Sequence, residues 1–342
     1  MLAKPLWYHF FADTLVFSFR LIAQRQLSVL PNVLSTSMMN PAGEQARRIA
    51  QLTNYFFIAA SFVLLVVTVL TVLFLYKFRA KAGDAEPKQI KRNVKVELVM
   101  VGVPLAMVVF FFFLTVKTMR AVLPQHHDRA PDVIVTGHQW WWEVQYPLAN
   151  VTTANEVHLP VGKPVLVELK SADVIHDWWV PELGNKMDMI PDRENFLWIT
   201  VHEAGYYQGA CSEFCGTQHA WMRIQVYADS DTDFNNFITS HQPVAQTPTS
   251  PLAQTGERIF NTMTCGDCHR INGTAANGDD APDLTHFASR RTMLTGMLPN
   301  DARHVHQFLA NPQAVKSGVH MPNFALDDTS QNALVAYLTQ LK

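Results

Sequence analysis

The chain has 342 residues, 48% of them hydrophobic, and a net charge of only −2. That length accommodates two or three domains, and the lack of a basic excess excludes a protein built to hold nucleic acid. All four cysteines fall in two close pairs, Cys211/Cys215 and Cys265/Cys268, each inside a metal-type motif, so none is left over for a structural disulfide elsewhere.

Residues 1–39 form a leading segment. Within it, Leu6–Ile22 is rich in Phe and Leu but is interrupted by His9, Asp13 and Arg20. It reads either as an amphipathic interfacial helix or as an atypical leader, because a clean signal peptide has an unbroken apolar region and a small-residue cleavage site.

Residues 40–120 read as a transmembrane hairpin. Leu52–Tyr76 carries no charge and is long enough to cross a bilayer core. Val96–Val116 is a second span, with Glu97 near its start and Pro104 inside. Between them lie Lys77, Arg79, Lys81, Lys88, Lys91, Arg92 and Lys95, against Arg47 and Arg48 on the flank before the first span. The positive-inside rule makes that loop cytoplasmic and puts the sequence after Lys117 on the outer face. Glu97 is either a solvated flank or a functional carboxylate, as ionisable groups within spans commonly are.

From Asp132 to Asp229 the pattern turns to short alternating strands, among them Asp132–Thr136, Val165–Leu169 and Arg223–Tyr227, which predicts an antiparallel sandwich or barrel. The run Trp140-Trp141-Trp142 supplies core bulk. Between two late strands, Cys211-Ser-Glu-Phe-Cys215-Gly-Thr-Gln-His219-Ala-Trp-Met222 offers two thiolates, an imidazole and a thioether. Soft sulfur with imidazole suits copper, zinc or iron, and His176 is the upstream candidate for a second imidazole. A Cys2His2 zinc site and a Cys211–Cys215 disulfide compete, but neither uses Met222 or the Glu213 carbonyl.

His241–Pro251 is a Pro/Thr-rich linker. Residues 252–342 contain Cys265-Gly-Asp-Cys268-His269, the attachment signature of c-type haem, with His269 as proximal ligand. A thioredoxin-like pair would want a βαβ setting and zinc a second ligand pair, and neither is visible. A soft sixth ligand suits electron transfer. Met263, Met293, Met297, Met321 and His320 are the candidates. Gly256–Phe260 and Asn332–Leu341 read as terminal helices. His126, His127, His286, His304 and His306 lack ligand spacing and read as surface residues.

Two segments, VIHDWWVPELGNKMDMIPDR (Val174–Arg193) and CSEFCGTQHAWM (Cys211–Met222), resemble subunit II of haem–copper cytochrome c oxidases around their binuclear copper centre, CuA. The resemblance extends from Asn40, which matches the lead-in to the first span, to the C-terminus, and the fused haem domain makes it caa3-like. It implies a multidomain fold: a two-helix hairpin, an all-β Greek-key cupredoxin domain over 121–240 and an all-α class I cytochrome c domain over 252–342. It implies that Cys211 and Cys215 bridge both coppers, that His176 and Met222 complete one, and that His219 and the Glu213 carbonyl complete the other. It implies a magnesium ion at the Glu213 side chain, shared with subunit I.

The same resemblance implies electron intake at Trp140 and a proton-channel mouth at Glu97, although the stretch between Glu97 and Pro104 lacks the Trp-Thr usual in that family. Pro282-Asp-Leu-Thr resembles the loop that orients the proximal histidine, and of the candidate sixth ligands Met321 is the one at the position that the resemblance implies. The implied function is electron delivery in a proton-pumping cytochrome c oxidase of the bacterial inner membrane. Electrons pass from a cytochrome c or a bc1 complex through haem c and CuA to subunit I, where dioxygen is reduced; subunit III and membrane lipid are further partners. The alternative is a membrane-anchored periplasmic carrier serving another terminal reductase, of nitric or nitrous oxide. A copper-free quinol-oxidase subunit would have lost ligands that are all present here.

Overall fold

The computed structural model describes residues 37–342 apart from 81, 87–88, 90–91, 124–128 and 243. The expectations placed on residues 1–36, on Lys81, Lys88 and Lys91, and on His126 and His127 therefore lie outside the described residues.

Helices α1 (Glu44–Lys77) and α2 (Val94–Val122) contain the two expected spans. At about 1.5 Å per residue both exceed a bilayer core of about 30 Å. Their apolar side chains, among them Phe62, Leu64, Leu98 and Phe113, are exposed, so the hairpin needs lipid or another protein around it. Phe56 stacks on Phe111 at 4.1 Å and ties the pair together. Asn93 caps α2 by accepting from Val96 N, and the Glu97 carboxylate accepts from Asn93 N at 3.2 Å, so Glu97 closes the helix start. The start of α1 is joined to the domain that follows: Ala42 N and Gly43 N donate to Glu182 O, and a side chain at Gly43 would meet Leu183 O at 2.2 Å.

The β domain comprises β1 (Val133–His138), β2 (Trp141–Tyr146), β3 (Val151–Ala154), β4 (Glu156–Pro160), β5 (Val165–Ser171), β6 (His176–Trp179), β7 (Met187–Met189), β8 (Asn195–Ile199), β9 (Gly205–Cys211) and β10 (Arg223–Asp229). They form two five-stranded sheets, β3-β2-β1-β5-β8 and β4-β10-β9-β6-β7. Trp142, Val144, Leu169, Trp178, Met222 and Val226 fill the space between them. The sandwich is not wholly antiparallel as expected: β1 runs parallel to β5 and β4 parallel to β10. The chain leaves the first sheet after β3 and returns at β5, and this Greek-key crossing sets strands of the same direction side by side.

After β10, α3 (Asp231–Ser240) leads to the haem-type domain of α4 (Pro251–Thr262), α5 (Cys265–Cys268), α6 (Ala302–Ala310), α7 (Pro312–Val315) and α8 (Asp328–Leu338). Ser250 caps α4, and Pro251 opens it, where a missing N–H costs nothing. The helices α4 and α8 cross so closely that a side chain at Gly256 would meet Ala333 O at 2.0 Å. The domain departs from purely helical in one hairpin, β11 (Thr292–Met293) with β12 (Leu298–Pro299). That hairpin lies on the copper-type domain, where Thr292 Oγ1 donates to Gln225 Oε1 at 2.8 Å.

Two histidines read as surface residues are buried. His286 is 4% exposed because its Nε2 bonds Gln242 O and its ring packs on His241 at the junction between the domains. His304 is 7% exposed because it folds back onto Asp301, the cap of α6.

Candidate metal centre and haem pocket

Strand β6 delivers His176, β9 ends on Cys211, and the loop into β10 carries Glu213, Cys215, His219 and Met222. Cys211 N donates to Met222 O, which closes the loop on itself. Cys211 Sγ lies 3.8 Å from Cys215 Sγ, 3.9 Å from His176 Nδ1 and 3.2 Å from Glu213 O. Cys215 Sγ lies 3.6 Å from His219 Nδ1 and 3.7 Å from Met222 Sδ. A disulfide requires about 2.05 Å, so the pair is not one. Metal–sulfur and metal–nitrogen bonds of about 2.0–2.3 Å put tetrahedral ligands about 3.3–3.8 Å apart, close to the 3.2–3.9 Å over which these donors are spread. The donor set therefore fits metal, and its two sulfurs suit copper.

The setting is dry and shaped. His176 and Met222 are fully buried, and Cys211 and Cys215 nearly so. The thiol of Cys215 bonds Cys211 and, with His176, holds the Cys211 pKa well below the usual thiol range, against the opposing effect of burial; the same interaction pushes Cys215 up. A bound cation would offset the charge of two thiolates this close together. Gly137 and Gly216 are cradles: side chains there would meet the His176 ring at 2.8 Å and the Trp140 ring at 2.9 Å, and Gly216 also has φ +113°.

Two residues that sequence reading missed complete this site. Asp173 Oδ1 lies 2.8 Å from His176 Nε2, which fixes the ring with Nδ1 toward Cys211. Gln139 Nε2 donates to Cys215 O at 2.8 Å, beside the Trp140 Nε1–H donation to the same carbonyl at 2.9 Å. The signal for Asp173 was its place three residues before His176; Gln139 offered none beyond adjacency to Trp140. Trp142 donates its Nε1–H to Arg223 O and packs in the core, and Trp141 stacks on His138. The Glu213 side chain points outward, exposed.

In the second domain the turn α5 sets Cys265 and Cys268 on one helical turn and ends at His269. His269 Nδ1 lies 2.8 Å from Pro282 O. A carbonyl only accepts, so Nδ1 carries the proton and Nε2 keeps the lone pair that a haem iron would bind. Burial pushes the His269 pKa down, which also keeps that nitrogen unprotonated. The cationic Arg290, close enough to lower His269 further, leaves its Nε without a protein partner although it is buried, and a haem carboxylate would satisfy it. These residues fit haem. Met321 packs half-buried on this domain's core, and Gln313 Nε2 bonds Val319 O and Met321 O to hold its loop. Met293 is buried within that core. His320 is exposed and its ring lies on Trp140, 4.8 Å between centroids.

A two-span anchor, a β-sandwich with a sulfur-rich metal loop and a CxxCH domain together define a membrane-anchored electron-transfer protein. Residues 148–229 match the family described as cytochrome c oxidase subunit II, periplasmic domain, and residues 253–342 match cytochrome c. Cytochrome c oxidase subunit 2 of Alkalihalophilus pseudofirmus is 32% identical over 89% of this chain and 90% of its own length. That of Bacillus subtilis is 29% identical over 92% and 96%. A solved structure, the periplasmic domain of cytochrome oxidase subunit II (CoxB) from Bradyrhizobium japonicum, is 31% identical over 34% of this chain and 96% of its own, with a TM-score of 0.32. The chain belongs to the cytochrome c oxidase subunit 2 family, components of an oxidoreductase complex.

Proposed function

We propose that this chain is the electron-accepting subunit of a proton-pumping cytochrome c oxidase, passing electrons from a cytochrome c-type donor through a covalent haem c to a binuclear CuA centre. From there they go on to the subunit I site that reduces dioxygen to water. Cys265 and Cys268 would hold the haem covalently, and His269 and Met321 would supply its iron ligands. Cys211 and Cys215 would supply thiolates to both coppers; His176 and Met222 would serve one, and His219 and the Glu213 carbonyl the other. The copper pair they hold would supply one-electron transfer with little rearrangement. The protein's part is to fix ligand geometry and keep water out.

The observation that carries this reading is the position of Trp140. Its indole N–H reaches the Cys215 carbonyl, while His320, the neighbour of Met321, lies against its ring. Trp140 is only 9% exposed, so an external donor meets the haem domain first. By resemblance, the Glu213 carboxylate holds magnesium at subunit I and Glu97 stands at the mouth of a proton channel. The basic loop between the spans orients both redox domains outward from the bacterial plasma membrane. Subunits I and III, lipid, and cytochrome c or a bc1 complex are the partners.

The test is metal analysis with optical and EPR spectra of the detergent-solubilised protein. Two coppers per haem c, with a hyperfine pattern spread over two copper nuclei, are expected. Zinc in that site, or haem with no copper, would overturn the reading.

A further inference from the structure

The haem domain does not hang from its linker. It is seated on the copper domain through Arg291 N to Glu156 Oε1 at 3.0 Å, Thr292 to Gln225, and Thr295 Oγ1 to Trp221 O at 2.5 Å. One further contact is not explained by packing. Lys316, which follows α7, is 4% exposed, with Nζ 3.3 Å from Trp140 O and 3.3 Å from Thr295 Oγ1.

Among the described residues no carboxylate forms an ion pair with Lys316, and burial alone shifts it, down to about 8. It therefore still carries its proton and three donors near neutral pH. A buried ammonium without a counter-ion is costly, and an apolar side chain would fill the space without that cost. What the ammonium does that a leucine could not is hold two acceptors at once. One is the carbonyl of Trp140, on the turn beside the copper loop. The other is the hydroxyl of Thr295, in the haem-domain hairpin. The segment that Lys316 begins then runs over the copper loop: a side chain at Gly318 would meet Thr217 Cγ2 at 2.8 Å, and His320 rests on the indole of Trp140.

We propose that Lys316 is a positioning residue for electron transfer between the two domains: by holding the Trp140 carbonyl it seats His320, next to Met321, on the indole whose N–H bonds Cys215. This rests on the functional reading above. The contact sequence Met321, His320, Trp140, Cys215 contains one through-space gap, between His320 and Trp140. Tunnelling falls steeply with distance, so the group that fixes that gap sets the rate.

The experiment uses the intact detergent-solubilised oxidase with Lys316→Met and Lys316→Arg. An electron is injected photochemically into haem c, and haem oxidation and copper reduction are followed optically. Hydrogen exchange at residues 294–297 and 316–320, copper EPR and the haem midpoint potential are measured in parallel. Lys316→Met is expected to slow transfer several-fold and speed exchange in both segments, with EPR and potential unchanged. Lys316→Arg, which keeps the donors, is expected to recover most of the rate. A wild-type transfer rate in Lys316→Met overturns the proposal. Should that variant fail to assemble, Thr295→Val removes one acceptor of Lys316 together with the Thr295–Trp221 bond; faster exchange at 316–320 with slower transfer supports the seat, and wild-type values sink it. If the wild-type protein lacks copper or haem, the functional reading fails, while the exchange comparison still decides whether Lys316 holds the segment.

Discussion

Asp173 and His176 face each other across 2.8 Å, carboxylate Oδ1 to imidazole Nε2, while the opposite ring nitrogen points at Cys211 Sγ. Burial opposes protonation of His176, but its bonds to Cys211 and Asp173 outweigh that and hold its pKa above the ordinary imidazole range. The carboxylate fixes the ring and would make Nδ1 a stronger ligand to the proposed copper. Asp173 also accepts from Gln139 N at 2.6 Å, so it steadies the turn before Trp140.

Replacing this partner therefore weakens the metal site without removing a ligand. Asp173→Ala is expected to lower copper affinity by about 10- to 100-fold, read by competition with a chelator. Because Asp173 is partly exposed, the fold should survive, and an unchanged copper affinity would show that the pair is incidental.

Met222 offers a way to separate packing from ligation. Its side chain is wholly buried, with Sδ 3.7 Å from Cys215 Sγ. Met222→Leu conserves volume and should cost less than about 1.5 kcal/mol of stability, while the copper EPR and midpoint potential should change if its thioether is the proposed weak copper donor. Met222→Ala should add a cavity penalty of about 2–5 kcal/mol. If Met222→Leu leaves the spectrum and potential as in wild type, the thioether is packing only.

What was legible in the sequence is what lies close together along it. Cys211, Cys215, His219 and Met222 share one loop, and Cys265, Cys268 and His269 share one turn, so spacing alone displays them. The spans were legible from unbroken apolar length. The hidden parts are long-range. Gln139 meets Cys215 76 positions away, and Lys316 meets Trp140 176 positions away. No local period encodes such pairs. His286 looked like a surface residue because nothing near it in sequence shows that a second domain covers it. The parallel pairing of β1 with β5 was hidden for the same reason, since alternation reports which face is buried but not which neighbour a strand takes.

Gly256 tests the haem domain's frame. It lies where α4 meets α8, and a Cβ there would collide with the Ala333 carbonyl, an atom fixed in a helix. Gly256→Ala gains helix propensity of about 1 kcal/mol, but the backbone must separate to admit it, which costs about 1–3 kcal/mol or more. Steric cost wins, so the variant should melt earlier by calorimetry. A higher melting temperature would mean that the two helices part readily.

His241 predicts how the junction between the domains responds to acid. It is 9% exposed, sits between the Phe237 and His286 rings, and has Nε2 3.0 Å from Ser289 Oγ. Burial lowers its pKa to about 4, and the nearby His286, His158 and Arg290 add to that, against a bond to Phe237 O. In the unfolded chain the value is about 6.5. Between the two, the unfolded chain binds a proton that the native one refuses. The contribution to stability is thus complete above about pH 6.5, declines as the pH falls, and is gone near pH 4, a loss of about 3 kcal/mol. Carboxylates titrate in the same window, so the comparison is wild type against His241→Gln, which cannot take up the proton. Denaturant unfolding at pH 7 and pH 4.5 should show a smaller acid loss in the variant, with protease cleavage in residues 244–249 rising less. Equal losses in the two proteins would place the acid response of this junction elsewhere.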